Sequence, residues 1–344
     1  MRPRNRDARR STRHLDARLG EPHTILYHPT MRTTILHQIV ANSTNLARST
    51  RDKYRRDLDA WVEFAGSNPK GWTRRKAQAF YSYLLEQGLK PQSANRLLSS
   101  VHYAARWWAI QEDDPSLNFA IVQKAKPVLK TQKQVLTMDQ TVQLLNTCYP
   151  ANDPNDARDF ALIITGLETG MRQMSLRSML FEKCFFSGDT QTGYPTARVI
   201  IKGHGDERVP VPLSDTAIDA IEYWRVRWLG PRYKRGPVFQ AGNKSPDGFT
   251  PSGRPLGPST IWMLIDRRGQ KAGLKLSPHV FRHTFVTWRL ESGYSPHEVA
   301  AVTHHKLREL GALGEYVSPI FVGDKMRGST PAWLRSWVRS RLGL

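Results

Sequence analysis

The sequence is poor in cysteine: Cys148 and Cys184 are its two thiols among 344 residues. That excludes a disulfide-stapled scaffold and any cysteine-rich zinc fold, and it fits a reducing compartment. Long apolar runs are missing too. No stretch reaches the roughly 18 apolar residues that cross a bilayer, and nothing near the start resembles the apolar core of a secretory leader. The expectation is a soluble, intracellular protein with no membrane partner. Acidic side chains are scarce, 30 Asp and Glu against 51 Lys and Arg, which leaves a formal charge of +21. Such a balance calls for an acidic partner. The basic residues recur along almost the whole chain, interleaved with Trp and Tyr, instead of collecting on one amphipathic face. Nucleic acid fits that distribution better than an anionic membrane does. With 39% hydrophobic residues there is ample material for a core, and the length suggests about two domains.

The usual cofactor motifs are also lacking. Gly203-His204-Gly205 has no third glycine and does not lead from a strand into a helix, and no GxxxxGK loop occurs, so nucleotide-driven chemistry is not expected. His279 and His283 have a zinc-like spacing, but Val280 stands where HExxH needs a glutamate and Arg282 between them repels a cation. Asp153, Asp156 and Asp159 lack the glycine of a calcium loop and read as turn and helix cap. No carboxylate cluster suggests two-metal nuclease chemistry. Neither a metal nor any other cofactor is expected.

What is present falls into segments. Residues 1–41 read as a basic, flexible arm, with Arg2, Arg4, Arg6, Arg9, Arg10, Arg13 and Arg18 near its start. Residues 42–123 carry helical periodicity. Ser49 or Thr50 is placed to cap a helix bearing Tyr54, Leu58, Trp61 and Val62 on one face; a second, about 75–87, presents Phe80, Tyr83 and Leu84 and ends at Gly88; a third from Pro91 or Gln92 carries Leu97, Val101, Ala104 and Trp108. Lys90, Arg96 and Arg106 lie off these stripes, open to solvent or to phosphate. Residues 124–136, with Lys124, Lys126, Lys130, Lys133 and Pro127, have linker composition and would let two domains close around a polyanion. Thr137 then caps the first helix of a second domain, 137–344. There, 156–169 reads as a helix, Arg198 to Lys202 and Arg208 to Leu213 as a hairpin, and helices follow at 216–228, 259–272, 278–292 and 295–302. The fold class is mostly α with a small antiparallel β-sheet.

Within this second domain, Thr169-Gly170-Met171-Arg172 places an arginine just after a helix end, and Lys202 sits at the mouth of the hairpin. Ser277-Pro278-His279-Val280-Phe281-Arg282-His283-Thr284 opens a helix, and His305 and Tyr316 follow. Each element alone is weak, since packing and ion pairing could produce any of them. In this order the set resembles the tyrosine recombinase (phage integrase) family, from about residue 42 onward. The resemblance implies a helical, DNA-binding core-binding domain followed by an integrase-type catalytic domain. The register is internally consistent: HTFVTWRLESGYSPHEVAAVTHH after Arg282 matches the family stretch that ends in a Gly-His motif. This puts His305 on the family histidine, 23 residues beyond Arg282. Tyr316 is the single tyrosine after it.

These residue types suit phosphoryl transfer without a metal. A phosphodiester gathers negative charge on its nonbridging oxygens at the transition state, and Arg172 with Arg282 can hold it by bidentate, charge-assisted hydrogen bonds. By the resemblance, Tyr316 is the nucleophile forming a 3′-phosphotyrosyl link. His279 is the proton acceptor or positioning partner, Lys202 the general acid for the leaving 5′-hydroxyl, and His305 a further donor to the phosphate. The resemblance also implies double-stranded DNA carrying specific recombination sites, a Holliday-junction intermediate and a homotetramer on DNA that is monomeric or weakly associated when free. It leaves room for an accessory directionality protein, and for a cytoplasmic, nucleoid-associated place if the source is bacterial or phage. Lys90, Arg96 and Arg106 are the candidate DNA contacts of the first domain. Two departures stand out: Ser175 occupies the place of the family's acidic residue three after the first arginine, and His304 replaces the usual glycine. They keep a non-catalytic DNA-binding protein open as a rival, beside a type IB topoisomerase or a telomere resolvase. Last, Trp333, Leu334, Trp337, Val338 and Leu342 form an apolar stripe in a C-terminal helix, 331–344, which has to pack on its own domain or on a neighbouring subunit.

Overall fold

Contacts divide the chain into Met1–Thr131 and Gln132–Leu344; among the described residues the first has one hydrophobic core, and the second has a large core and a smaller cluster of Phe285, Tyr294, Val299 and Val302. The structure, a computed structural model, describes residues 33–125, 134–151, 153–201, 207–245, 248–304 and 330–344.

The first unit is helical: α1 (Ile35–Ala41), α2 (Arg48–Ala65), α3 (Arg74–Glu86) and α4 (Pro91–Gln111). Its centre is Trp61, fully buried, which stacks on Phe119 at 5.2 Å and meets Phe80 edge-on at 5.3 Å. Three details depart from the sequence reading. Helix α1 lies inside the segment expected to be a flexible arm. Its short apolar run buries Leu36, Ile39 and Val40 against α2 and α4, and Thr34 closes its first turn through His37 Nδ1, 2.8 Å from the hydroxyl. Helix α2 starts at Arg48, so Ser49 and Thr50 fall within its first turn and do not cap it. In α3 the buried tyrosine is Tyr81, which donates to Asn95 Oδ1 at 2.7 Å and accepts from the Ala125 amide, while Tyr83 is 41% exposed. An aromatic ring with a polar tip is buried where the tip finds partners.

The second unit is built around α6 (Pro154–Thr169), an interior helix buried from Ala157 to Thr169, apolar through its middle turns and carrying the buried charges Arg158, Asp159 and Glu168 near its ends. Before it, Thr137 and Gln140 form a capping box on α5 (Met138–Asn146). After it come the short α7 (Gln173–Arg177) and a three-stranded antiparallel sheet, β1 (Cys184–Phe185), β2 (Thr196–Ile200) and β3 (Arg208–Pro212). The β2–β3 hairpin pairs Val199 with Val209 and Ile200 with Arg208, as its alternating pattern indicates. Pro210 and Pro212 sit on the edge strand, where a missing N–H is tolerated. Helix α8 (Asp215–Trp224) runs into a π-helical turn at Arg225–Leu229.

A further hairpin, β4 (Gln240–Ser245) with β5 (Gly248–Pro255), is not signalled by the sequence, which is polar, rich in glycine and proline, and reads as loop. Helices α9 (Pro258–Lys271), α10 (Pro278–Glu291), α11 (Pro296–Thr303) and α12 (Ala332–Leu342) complete the described residues. The apolar stripe of α12 packs on its own unit: Leu334 and Val338 are fully buried against the main core, Trp337 lies 6.3 Å from Phe160, and the Tyr149 hydroxyl donates to the Arg341 carbonyl.

Candidate functional site

The site grows from the packing of α6 on α10. Two glycines one turn apart on α6 receive two phenylalanines one turn apart on α10. A Cβ on Gly166 would stand 3.0 Å from the Phe281 ring, and one on Gly170 2.6 Å from the Phe285 ring. Gly170 also ends α6 in the left-handed region, φ +59°, where glycine carries no steric penalty. The chain thus turns sharply and leaves Arg172 as the residue that caps α7. Close approach of the helices lets Arg282, on α10, reach back across: its Nη1 donates to the Gly170 carbonyl at 2.8 Å and its Nη2 to the Thr303 carbonyl at 2.7 Å.

Arg172 and Arg282, far apart in sequence, therefore meet in one small recess with Ser175, Ile201, Thr303 and His304. Arg282 is 4% exposed. Burial, and then the adjacent charge of Arg172, push its guanidinium down to about 10. Two cations drawn together at the end of a recess repel one another, and an anion placed between them relieves that cost. Arg172 itself is half-buried and makes no hydrogen bond or ion pair among the described residues. Its planar fork of N–H groups is open for an oxyanion, the geometry arginine offers to phosphate.

The two departures from the expected pattern find physical accounts here. Ser175 is buried and donates to the Ile200 carbonyl at 3.0 Å, while the Ile200 amide donates to Ser178 Oγ at 2.9 Å. Both backbone groups of one β2 residue are thus pinned to the α7 region, two residues before Lys202 in sequence. His304 ends α11 with φ +51° and ψ +45°, the conformation in which a glycine would carry no strain. A histidine there costs about 1 kcal/mol.

Of the other expected residues, His279 is exposed in the first turn of α10, three positions before Arg282, with its ring 6.4 Å from that of His283. No cluster of three metal-ligating side chains occurs among the described residues. Lys202, His305 and Tyr316 lie outside the described residues, as do most of the lysines of the expected linker.

In the first unit, Lys90 precedes α4 and is exposed, and Arg106 is exposed on the same helix. Arg96 is engaged: it forms a bidentate pair with buried Asp57, at 2.8 and 3.2 Å, and Ser100 completes the carboxylate shell. Lys124, expected in the linker, instead donates to Ser99 on α4 at 3.3 Å. His102 feels the resulting field. Burial first, then Lys124 and Arg106, hold its imidazole below the ordinary value.

Sequence reasoning missed Glu168 and Arg289, a fully buried ion pair between α6 and α10 at 3.3 Å. The available signal was a glutamate inside the apolar run ALIITGLETG. Its partner, 121 residues away, could not be identified from spacing.

Comparison with known proteins identifies the family. The phage integrase family profile matches residues 134–310, and the profile of the phage integrase N-terminal SAM-like domain matches residues 38–112. Tyrosine recombinase XerD of Pseudomonas aeruginosa is 30% identical over 259 residues, covering 72% of this chain and 80% of that protein. XerD of Staphylococcus aureus is 27% identical over 266 residues, covering 76% and 85%. Among solved structures, a lambda integrase dimer bound to a COC' core site superposes with a TM-score of 0.58 at 19% identity, over 81% of this chain and 74% of that one. The Tn1549 transposon integrase in complex with circular intermediate DNA gives 0.55 at 17% identity, over 82% and 95%. The likeness to both structures is one of fold.

Proposed function

Since this chain belongs to the phage integrase family and is a site-specific tyrosine recombinase, we propose that its two units grip duplex DNA and that the recess at the end of α6 holds the phosphate being exchanged. One observation carries this reading: Arg172 and Arg282 are brought side by side in a buried recess, with one fork open and the other guanidinium pushed down to about 10. An arrangement that disfavours its own charges when empty is preorganised for the extra negative charge of a phosphoryl transition state.

In this reading Tyr316 attacks phosphorus. The P–O bond to the 5′-hydroxyl breaks, and the protein is left joined to the 3′ end through a phosphotyrosyl link. Lys202 supplies the proton to the leaving oxygen, His279 accepts or steers the phenolic proton, and His305 donates to the same phosphate. The ester conserves the energy of the broken bond, so the 5′-hydroxyl of a second strand reverses the step and yields a Holliday junction without a nucleotide cofactor. Residues 42–123 act as the DNA-gripping core-binding domain, residues 124–136 as the tether and residues 137–344 as the catalytic domain. Lys90 and Arg106 are the stronger phosphate contacts of the first domain, because Asp57 already occupies Arg96. The solved lambda integrase tetramer is bound to a Holliday junction, and we assign this chain a tetramer on paired sites and a cytoplasmic, nucleoid-bound place of work in a bacterial or phage setting.

The test starts from duplexes that the full chain selects from a randomised pool, rebuilt with a nick beside each candidate phosphate. Wild type should be trapped as a covalent adduct, and Tyr316→Phe should not. Tight binding without any adduct would leave a DNA-binding protein that has kept the fold. Relaxation of supercoiled DNA without a selected site would favour a topoisomerase.

A further inference from the structure

The buried pair Glu168 and Arg289 has no part in the chemistry above, yet it lies at the helix interface that makes the site. Glu168 is in the last turn of α6, four residues before Arg172, and Arg289 is on α10, seven residues after Arg282. Both side chains are fully buried. Glu168 Oε2 accepts from Arg289 Nη2 at 3.3 Å and also from the Thr330 hydroxyl at 2.5 Å. Thr330, 4% exposed, stands at the entrance to α12 and 14 residues beyond Tyr316. The Arg289 guanidinium sits 4.8 Å from the centre of the Phe285 ring, the same ring that occupies the space left by Gly170. A single carboxylate oxygen therefore joins three separate stretches: the one leading to Arg172, the one carrying Arg282, and the one that leads into α12.

Buried ion pairs are poor sources of stability, because desolvation offsets most of their attraction, and hydrophobic replacements of similar volume often serve the fold as well. What such a pair can supply is a fixed arrangement. We propose that Glu168 is a positioning residue for strand cleavage: through Arg289 and Thr330 it ties α6, α10 and the entrance to α12 together and so locks the spacing of the two phosphate-binding arginines. The inference rests on the assignment of Arg172, Arg282 and Tyr316 given above. It goes beyond that assignment by naming a residue that touches neither DNA nor the reacting atoms.

Two variants of the full chain test it on the nicked duplex. Thr330→Val removes one hydroxyl and leaves the ion pair intact. It should slow single-turnover adduct formation about tenfold, as small misplacements of reacting groups do, while duplex affinity stays within about twofold, and Thr330→Ser should restore the rate. Glu168→Leu combined with Arg289→Met removes both charges together, so no lone buried charge remains. This protein should melt at or above the wild-type temperature and still cleave at least about tenfold more slowly. Wild-type rates in Thr330→Val, or in a double variant of normal stability, would overturn the proposal and leave the recombinase reading in place. If the double variant does not fold, Thr330→Val alone decides. No adduct from wild type itself would remove both readings together.

Discussion

The two ends of α6 treat arginine in opposite ways. At its N-terminal end, Arg268 reaches in from α9 and is held by Asp159 at 2.7 Å, by Asp156 at 2.6 Å and by the Thr147 carbonyl. Burial works against its charge, but Cys148 and the Asp159 and Asp156 groups outweigh it and raise the guanidinium above its ordinary value. At the C-terminal end, Arg282 leans on backbone carbonyls beside Arg172, and burial together with that second cation pushes it down. One helix thus meets a neutralised arginine from α9 at one end and, at the other, the pair of Arg282 from α10 and Arg172 from the start of α7. Total basic charge says little about function here; the anion each arginine already has says much more. The first unit repeats the lesson, because Arg96 is satisfied by Asp57 while Arg106 and Lys124 reinforce one another around His102.

If the two ends differ as described, substitutions at them should separate stability from activity. The largest effect is expected from Arg172→Met. Adduct formation should fall by about a thousandfold, the scale for losing a preorganised donor to an oxyanion, with folding stability unchanged within about 0.5 kcal/mol because no bond of Arg172 is broken. Single-turnover cleavage and urea denaturation of the same preparation check both halves. Arg268→Met should do the reverse. Stranding buried Asp159 costs about 3 kcal/mol, the low end for a broken buried pair because Arg158 still holds its other oxygen at 2.8 Å, and the surviving folded protein should cleave at close to the normal rate. A variant of either residue that lost both properties, or the opposite one, would break the comparison.

Gly170→Ala is intermediate in size and should affect both properties. The added methyl meets the Phe285 ring in a backbone conformation that disfavours it, at a cost of about 2 kcal/mol. The carbonyl that anchors Arg282 moves with it, so cleavage should decline more steeply than thermal stability. The smallest effect, and the only gain, is expected at His304→Gly: about 1 kcal/mol of added stability from relief of the left-handed backbone, read as a higher melting temperature.

Much of this was legible in the sequence because it depends on local pattern. The run of α6 ended by Gly170, the alternation across β2 and β3 and the Thr137 cap all lie within one or two turns of chain, and Arg172 and Arg282 are each marked by the residues beside them. Other features depend on partners that spacing does not reveal. Helix α1 is too short to declare itself, and only the α2 and α4 surfaces make its three apolar residues a core face. Tyr81 and Tyr83 are equivalent in pattern, and the hydrogen bonds to Asn95 and Ala125 decide which is buried. Arg96 looked like a phosphate contact because Asp57, 39 residues earlier, carries no mark of its role. Glu168 could be noticed but not explained until Arg289 and Thr330 came to meet it.

The most direct measurement of the central claim is a crystal structure of Tyr316→Phe bound to a selected duplex. The account predicts one backbone phosphate lodged at the C-terminal end of α6, its two nonbridging oxygens within about 3 Å of the Arg172 and Arg282 guanidinium nitrogens. A duplex that runs past this recess, with every phosphate held by other cations and the two arginines still facing each other unfilled, would contradict it.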